Sequence, residues 1–416
     1  MTAGSAIASV LDRARLAQLA DALAVAVAVV LPWWTTPTNI LIVLWLLALL
    51  PTLDVASVRR ELMTPAGGVP VALWLLAALG MMWADVPWAE RMAGLGAFHK
   101  LLVVPLLLAQ FRRSGRGLWV AGGFFAACVV LLVASWTLAL APALSWRTEF
   151  YFGVPTRDYI AQSGEFAVCA FALFHLALDR FKAGRRLVAC GLVILAFAFL
   201  ADIAFVATSR TVLVVIPVLL AVVGMQRFGW KGTLVLAAGA ALIAAAAWFS
   251  SSYLRARVNS VASEIALYEI GEGGPQGTSS GMRIAFWKKS VEFIRQAPVL
   301  GHGTGSVPDL FRRSVAGRIG ADAVATVNPH QQTLAVAIQL GIVGAILLWA
   351  MWIAHLLLFR GYGLVAWLGV IVVVQNIVSS LFNSHIGDFA QGWTYVFAVG
   401  ALGGTVLRSA SAETGR

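Results

Sequence analysis

Four residues scattered along the chain carry the chemistry this sequence can do: Arg210, Arg283, His330 and Asp388. Two guanidinium groups suit a phosphate or diphosphate, because their planar forks match its oxygens bidentately. A neutral imidazole suits removal of a proton from a hydroxyl, and a carboxylate beside it can orient the ring or share the proton. In NPHQQTLAVAIQLGIVGAILL, residues 328–348, Asn328 suits a helix N-cap and Pro329 the first helical position, which predicts His330 in the first helical turn. Unpaired N–H groups at that end oppose protonation of the ring. The same placement also suits an interfacial histidine with an ordinary satisfied hydrogen bond. Ser209 in TSRTVLVVIP suits an N-cap as well, which puts Arg210 in a first turn whose free N–H groups add to an anion site. Asp388, in FNSHIGDF, is either the N-cap of the last helix or a carboxylate that shares a proton, and the same turn carries His385.

Weaker candidates surround these. Arg91 and Lys100 lie in WADVPWAERMAGLGAFHK, where snorkelling to lipid phosphate is the competing expectation. Arg147 and Arg157, in PALSWRTEFYFGVPTRDY, are secondary anion ligands that Glu149 and Asp158 can neutralise. Glu165 is an expensive residue inside an apolar run unless paired or hydrated. GHGTGS, residues 301–306, resembles a phosphate-cradling loop but lacks the P-loop lysine and follows no parallel strand, so that match is discarded. There is no DxD, no HExxH and no carboxylate cluster, so no metal and no cofactor is expected.

The elements that must position these residues are membrane spans. Hydrophobic residues make up 60% of the 416 and charged residues 12%, which predicts an all-α, polytopic membrane protein. Twelve spans are expected, near residues 19–36, 38–53, 69–84, 97–111, 118–141, 160–178, 187–203, 209–225, 232–250, 330–357, 363–382 and 388–407. Domain organisation follows as spans one to nine over 1–250, a partly helical loop over 251–329, and the last three spans with a tail over 330–416. Sixteen of the 30 basic residues fall in segments that are cytoplasmic if the N-terminus is inside, against five in the short outer segments. Both termini are therefore expected in the cytoplasm and the long loop outside. The formal charge of +11 reads as this topological signal together with anionic membrane lipids, not as nucleic-acid binding. The first apolar run reads as a retained span, and Cys128, Cys169 and Cys190 all fall within spans, so no disulfide is implied.

Within the 251–329 loop, Ile284, Trp287, Val291 and Ile294 recur at helical spacing and predict a helix with Arg283 in its first turn. Arg210, Arg283, His330 and Asp388 then share one membrane depth, that of a lipid phosphate headgroup. The Ser209-Arg210 pair, the R-x3-W of Arg283 and Trp287 leading to APVLGHGTGS, and PHQQTLAVAIQLGIVG together resemble the O-antigen ligase and polymerase superfamily over roughly residues 200–400. Members of that family often have His-Asn where this chain has His330-Gln331.

The resemblance implies a GT-C-like glycosyltransferase of the Gram-negative inner membrane with a periplasmic active site. Its donor would be a glycan on undecaprenyl diphosphate and its acceptor the lipid A core oligosaccharide, in lipopolysaccharide biosynthesis. His330 would deprotonate the acceptor hydroxyl, and Arg210 and Arg283 would neutralise the leaving diphosphate. Transfer would be metal-independent and inverting. An O-antigen polymerase and a protein O-oligosaccharyltransferase are the rivals within the superfamily. A twelve-helix secondary transporter is the rival outside it, disfavoured because the polar residues crowd one rim and no repeat is visible.

Overall fold

The computed structural model describes residues 13–145, 153–156, 158–269, 278–315, 317 and 323–414. Among them the chain forms sixteen α-helices joined by turns and three short 3-10 segments. The first group is α1 (Arg13–Val30), α2 (Thr35–Leu49), α3 (Val55–Leu62), α4 (Pro65–Gly80), α5 (Trp88–Gly96), α6 (Val103–Arg113) and α7 (Gly117–Leu140). Then follow α8 (Tyr159–Lys182), α9 (Arg186–Phe205), α10 (Arg210–Ser250), α11 (Ser252–Glu269), α12 (Ser279–Gln296) and α13 (Val307–Ser314). The last three are α14 (Gln332–Leu358), α15 (Leu364–Ser380) and α16 (Phe389–Thr414).

Each of the twelve expected spans overlaps one of these helices, although 19–36 runs past the end of α1 into α2. By length and composition, six of the described helices can cross a membrane, and eight if each of two bent pairs, α3 with α4 and α5 with α6, counts as one. Their outer faces are apolar, with Leu187 90%, Leu242 75% and Leu47 65% exposed, as lipid-facing helices require. The interior has two main clusters. One joins α1, α2, α4, α6, α14 and α16 around Trp45, Phe111, Trp352 and Phe397, and the other joins α7 to α10 and α15 around Phe166, Phe171 and Phe199. This is a polytopic, all-helical membrane protein.

Two glycines bend what the helix register would otherwise run straight. The expected spans 209–225 and 232–250 are the two arms of α10, which turns at Gly229 with φ 67°. A side chain at Gly224 would come within 2.7 Å of Thr233 Oγ1, although a straight helix holds those residues about 13 Å apart. In α14 the break is at Gly341, φ 62°. A Cβ at Gly344 would stand 3.1 Å from Val336 Cγ1, across a separation that a straight helix makes about 12 Å. The expected span 330–357 is therefore a short arm, 332–340, set at an angle to the apolar helix 342–358.

GHGTGS fills the break in α14. His302 N and Gly303 N donate to Ile338 O and Gln339 O at 2.8 and 2.9 Å, and Ile342 N donates to Pro298 O at 2.9 Å. Thr304 donates from Oγ1 to Ala77 O at 2.6 Å and from its N–H to Gly80 O at 3.0 Å, tying the same loop to the end of α4. The loop is packing material that satisfies backbone groups freed by the bend, which is why it needs glycine where a phosphate loop would also have it.

Candidate active site

His330 lies before α14, not in its first turn. The helix starts at Gln332, and its N-cap is Gln331, whose side chain accepts the Leu334 N–H at 2.5 Å. Glutamine thus performs the capping that a shorter amide would perform in a His-Asn sequence. Asn328 caps a tighter turn instead: its Oδ1 accepts the His330 N–H at 2.8 Å, and His330 takes φ 54°, a left-handed conformation unusual for a residue with a side chain. Pro329 fixes the approach to that turn but does not begin the helix.

The His330 ring is held on two sides. Asn383 Oδ1 stands 3.1 Å from Nδ1, and the Phe286 ring stacks on the imidazole at 6.2 Å between centroids. An amide oxygen only accepts, so Nδ1 carries the proton and the Nε2 lone pair is left as a base. Burial lowers the ring below the ordinary histidine value of 6.5, the Asn383 hydrogen bond works against it, the Arg283 charge lowers it again and Asp388 opposes. His330 is therefore neutral at physiological pH, through burial and Arg283 and not through a place in a helix.

The turn 381–388 between α15 and α16 supplies the facing wall. Ser384 Oγ donates to Asn328 Oδ1 at 2.6 Å and Ile386 N donates to Gln332 Oε1 at 2.8 Å, locking this turn to the segment that carries His330. His385 is 1% exposed, and its Nδ1 lies 3.0 Å from Asp388 Oδ2. Asp388 immediately precedes α16 as an N-cap would, yet its carboxylate serves His385. Lys100 is 8% exposed, and its ammonium donates to Ile386 O and Gly387 O at 3.1 and 3.2 Å. It anchors this turn from inside the protein, which corrects the expectation that it snorkels to lipid.

Arg283 lies in the first part of α12, after the Thr278 cap, whose hydroxyl accepts Gly281 N. No hydrogen bond or ion pair from a described residue holds its guanidinium. Burial lowers its pKa, Tyr159 and Glu264 act against that, and Arg210 adds to it, which places all four groups within electrostatic reach. Arg210 opens α10 as expected, with Ser209 Oγ accepting Val212 N at 3.2 Å. Its fork, however, is occupied. It grips both oxygens of Glu264, with Nη1 2.8 Å from Oε2, and also donates to Ser260 and Ser280. Glu264 is the residue that sequence reasoning missed. Burial would raise its carboxyl, but bonds from Arg210 and from Ser280 outweigh that and hold it at about 2. The sequence pointed only to a partly helical loop over 251–329, and nothing in it singled out this carboxylate.

The weaker candidates separate. His385 lines the same small cavity as His330 and Asp388, a space of about 180 Å³ between the 381–388 turn and the start of α8. Arg91 donates to Val86 O and Met81 O, both at 2.8 Å, and closes the end of α4. Arg147 and Arg157 lie outside the described residues. Asp158 caps α8, its Oδ1 accepting Ala161 N at 2.7 Å. Glu165 is buried in α8 with one carboxylate oxygen lacking a partner among the described residues. No group of three or more His, Cys, Asp and Glu side chains suited to a metal occurs among the described residues.

Among the described residues, a neutral histidine, a carboxylate and an arginine without a hydrogen-bonded partner gather at one end of an all-helical bundle, a combination that suits an anionic substrate. Residues 195–349, which include Arg210, Arg283 and His330, match the family model described as O-Antigen ligase, Wzy_C. Over that region the chain is similar to the O-antigen ligase family. No curated protein matches the chain.

Proposed function

We propose that the protein is an O-antigen ligase, an inverting glycosyltransferase that moves a glycan from undecaprenyl diphosphate to the lipid A core oligosaccharide. The observation that supports this reading best is the pairing of a neutral, Nδ1-anchored His330 with an Arg283 guanidinium that forms no ion pair with a carboxylate among the described residues. Twelve crossings place both termini in the cytoplasm and the His330 end at the periplasmic face of the inner membrane, following the basic-residue asymmetry.

In this mechanism His330 Nε2 takes the proton of the acceptor hydroxyl as its oxygen bonds to the anomeric carbon. The bond from that carbon to the diphosphate oxygen breaks, and undecaprenyl diphosphate leaves with the electron pair. Arg283 binds the growing charge directly, by preorganised charge-assisted contacts. Arg210 contributes through Glu264, fixing α11 and α12 so that Arg283 stays at the site. Asp388 stabilises positive charge on the imidazole after proton transfer. These residues do by charge what a divalent ion does elsewhere, so chelator should leave turnover intact.

The test is transfer by the purified protein from lipid-linked glycan to lipid A core or to a second lipid-linked glycan, with and without EDTA. Product on lipid A core supports the ligase reading, and product only on the second glycan makes the protein a polymerase. Loss of turnover in EDTA, restored by Mg²⁺, removes the role given to Arg283.

A further inference from the structure

A second and larger cavity lies against the His330 site. It has a volume of about 510 Å³ and is bounded by α5, the start of α13, the segment before α14 and the 381–388 turn. Asn328 and Asp388 line both this cavity and the one that holds His330, so the two spaces meet across those side chains. Its size is that of a small-molecule pocket.

The lining is chemically unlike that of a diphosphate site. Among the described residues that line it there is no Lys, Arg or His, while Glu90 and Asp388 are carboxylates. Glu90 Oε1 accepts from Arg312 Nη2 at 2.9 Å, and its other oxygen is buried with no partner among the described residues. Gln332 is 4% exposed; its Oε1 accepts Ile386 N, and its amide nitrogen has no partner among the described residues. An unused acceptor and an unused donor in one pocket match hydroxyl groups, each of which gives and takes a hydrogen bond. Ala93, Phe98 and Val307 offer apolar walls for the C–H faces of a sugar ring. A hydrocarbon tail would cover those walls too, but it would leave the Gln332 N–H unpaired, which a hydroxyl would not.

We propose that this cavity binds the acceptor saccharide, holding it so that its attacking hydroxyl crosses between Asn328 and Asp388 to reach His330. The inference rests on the glycosyl-transfer reading above, and it assigns the acceptor to one side of Asp388 and the donor diphosphate to the Arg283 side.

The experiment is steady-state transfer by the full-length protein with donor and acceptor varied separately. Ala93→Trp and Val327→Trp fill the cavity from exposed positions where a larger side chain leaves the core untouched. Each should raise the acceptor KM about tenfold or more and leave the donor KM within about twofold. Glu90→Gln should raise the acceptor KM several-fold, whereas Arg312→Gln, which breaks the same ion pair but keeps the Glu90 carboxylate, should not. A rise in donor KM alone means that the cavity holds donor glycan or lipid tail and overturns the proposal, as does no change in either constant. If the wild-type protein accepts only a second lipid-linked glycan, the ligase reading fails, and the same comparison made with that acceptor still decides the cavity.

Discussion

The Ser384 hydroxyl donates to the Asn328 amide oxygen at 2.6 Å, and the same oxygen accepts the His330 N–H at 2.8 Å. One side chain therefore joins the turn before α14 to the turn before α16 and holds His330 at φ 54°. A left-handed backbone at a residue with a side chain costs on the order of 1–3 kcal/mol and persists only where neighbours enforce it. Asn328→Ala removes the enforcement. The expected result is a fall in transfer of about 10²-fold with donor KM nearly unchanged, because misplacing a base costs rate before it costs binding. An equal loss of donor affinity in this variant would show that Asn328 shapes the diphosphate site instead.

The charges around His330 set its pH dependence, and their signs are opposed. Catalysis needs the neutral ring, so transfer declines as pH falls through the lowered pKa. Arg283 lowers that pKa, and Arg283→Gln should shift the acidic limb of the profile to higher pH. Asp388 raises it, and Asp388→Asn should shift the limb to lower pH. Shifts in the same direction for both variants would mean that a different group titrates.

Arg283 and the Arg210–Glu264 pair should differ in what their loss affects. Arg283→Ala deletes a direct contact worth about 1.5–3 kcal/mol, so donor binding and transfer both weaken with little change in melting temperature. Glu264→Gln should lower the melting temperature at neutral pH, since the folded carboxyl lies at about 2, below its ordinary value of 4.5. The contribution of that ion pair is fully present above 4.5 and is lost as pH falls toward 2. The gap in melting temperature between Glu264→Gln and wild type should accordingly close over that interval. A gap that stays constant with pH would remove the ion pair as its source.

The apolar helices were legible in the sequence because each is a run of apolar residues, although by length and composition six to eight of the described ones qualify as spans where twelve were expected. The helix that carries Arg283 and Ser209 as the cap of α10 were legible because both depend on local pattern, but that helix starts at Ser279, so Arg283 lies beyond the first turn in which it was expected. What could not be read depended on partners distant in the chain. Glu264 meets Arg210 across 54 residues, Lys100 reaches Ile386 across 286, and Asn383 meets His330 across 53. The start of α14 was placed three residues early because Asn-Pro carries a strong helix-start signal. The tertiary tie from Asn328 to Ser384 uses that asparagine for a turn instead, leaving the cap to Gln331.

The bend at Gly341 is the least conspicuous requirement of the site. A Cβ there would stand 2.1 Å from Val299 O, and φ 62° is strained for any residue with a side chain. Gly341→Ala must either expel the Val299–Leu300 backbone or straighten α14. Straightening swings the 332–340 arm, and with it His330, away from Asn383 and the Phe286 ring. The expected outcome is a lower melting temperature together with loss of transfer. Gly239→Ala is the comparison, because a Cβ at that helical position meets nothing within 4 Å and alanine favours a helix by about 1 kcal/mol. That variant should match or exceed wild type in stability and keep full activity. If Gly341→Ala melts early yet transfers normally at low temperature, the bend serves only packing. If it retains both properties, α14 accommodates a side chain at its break, and the arm is held by the 381–388 turn alone.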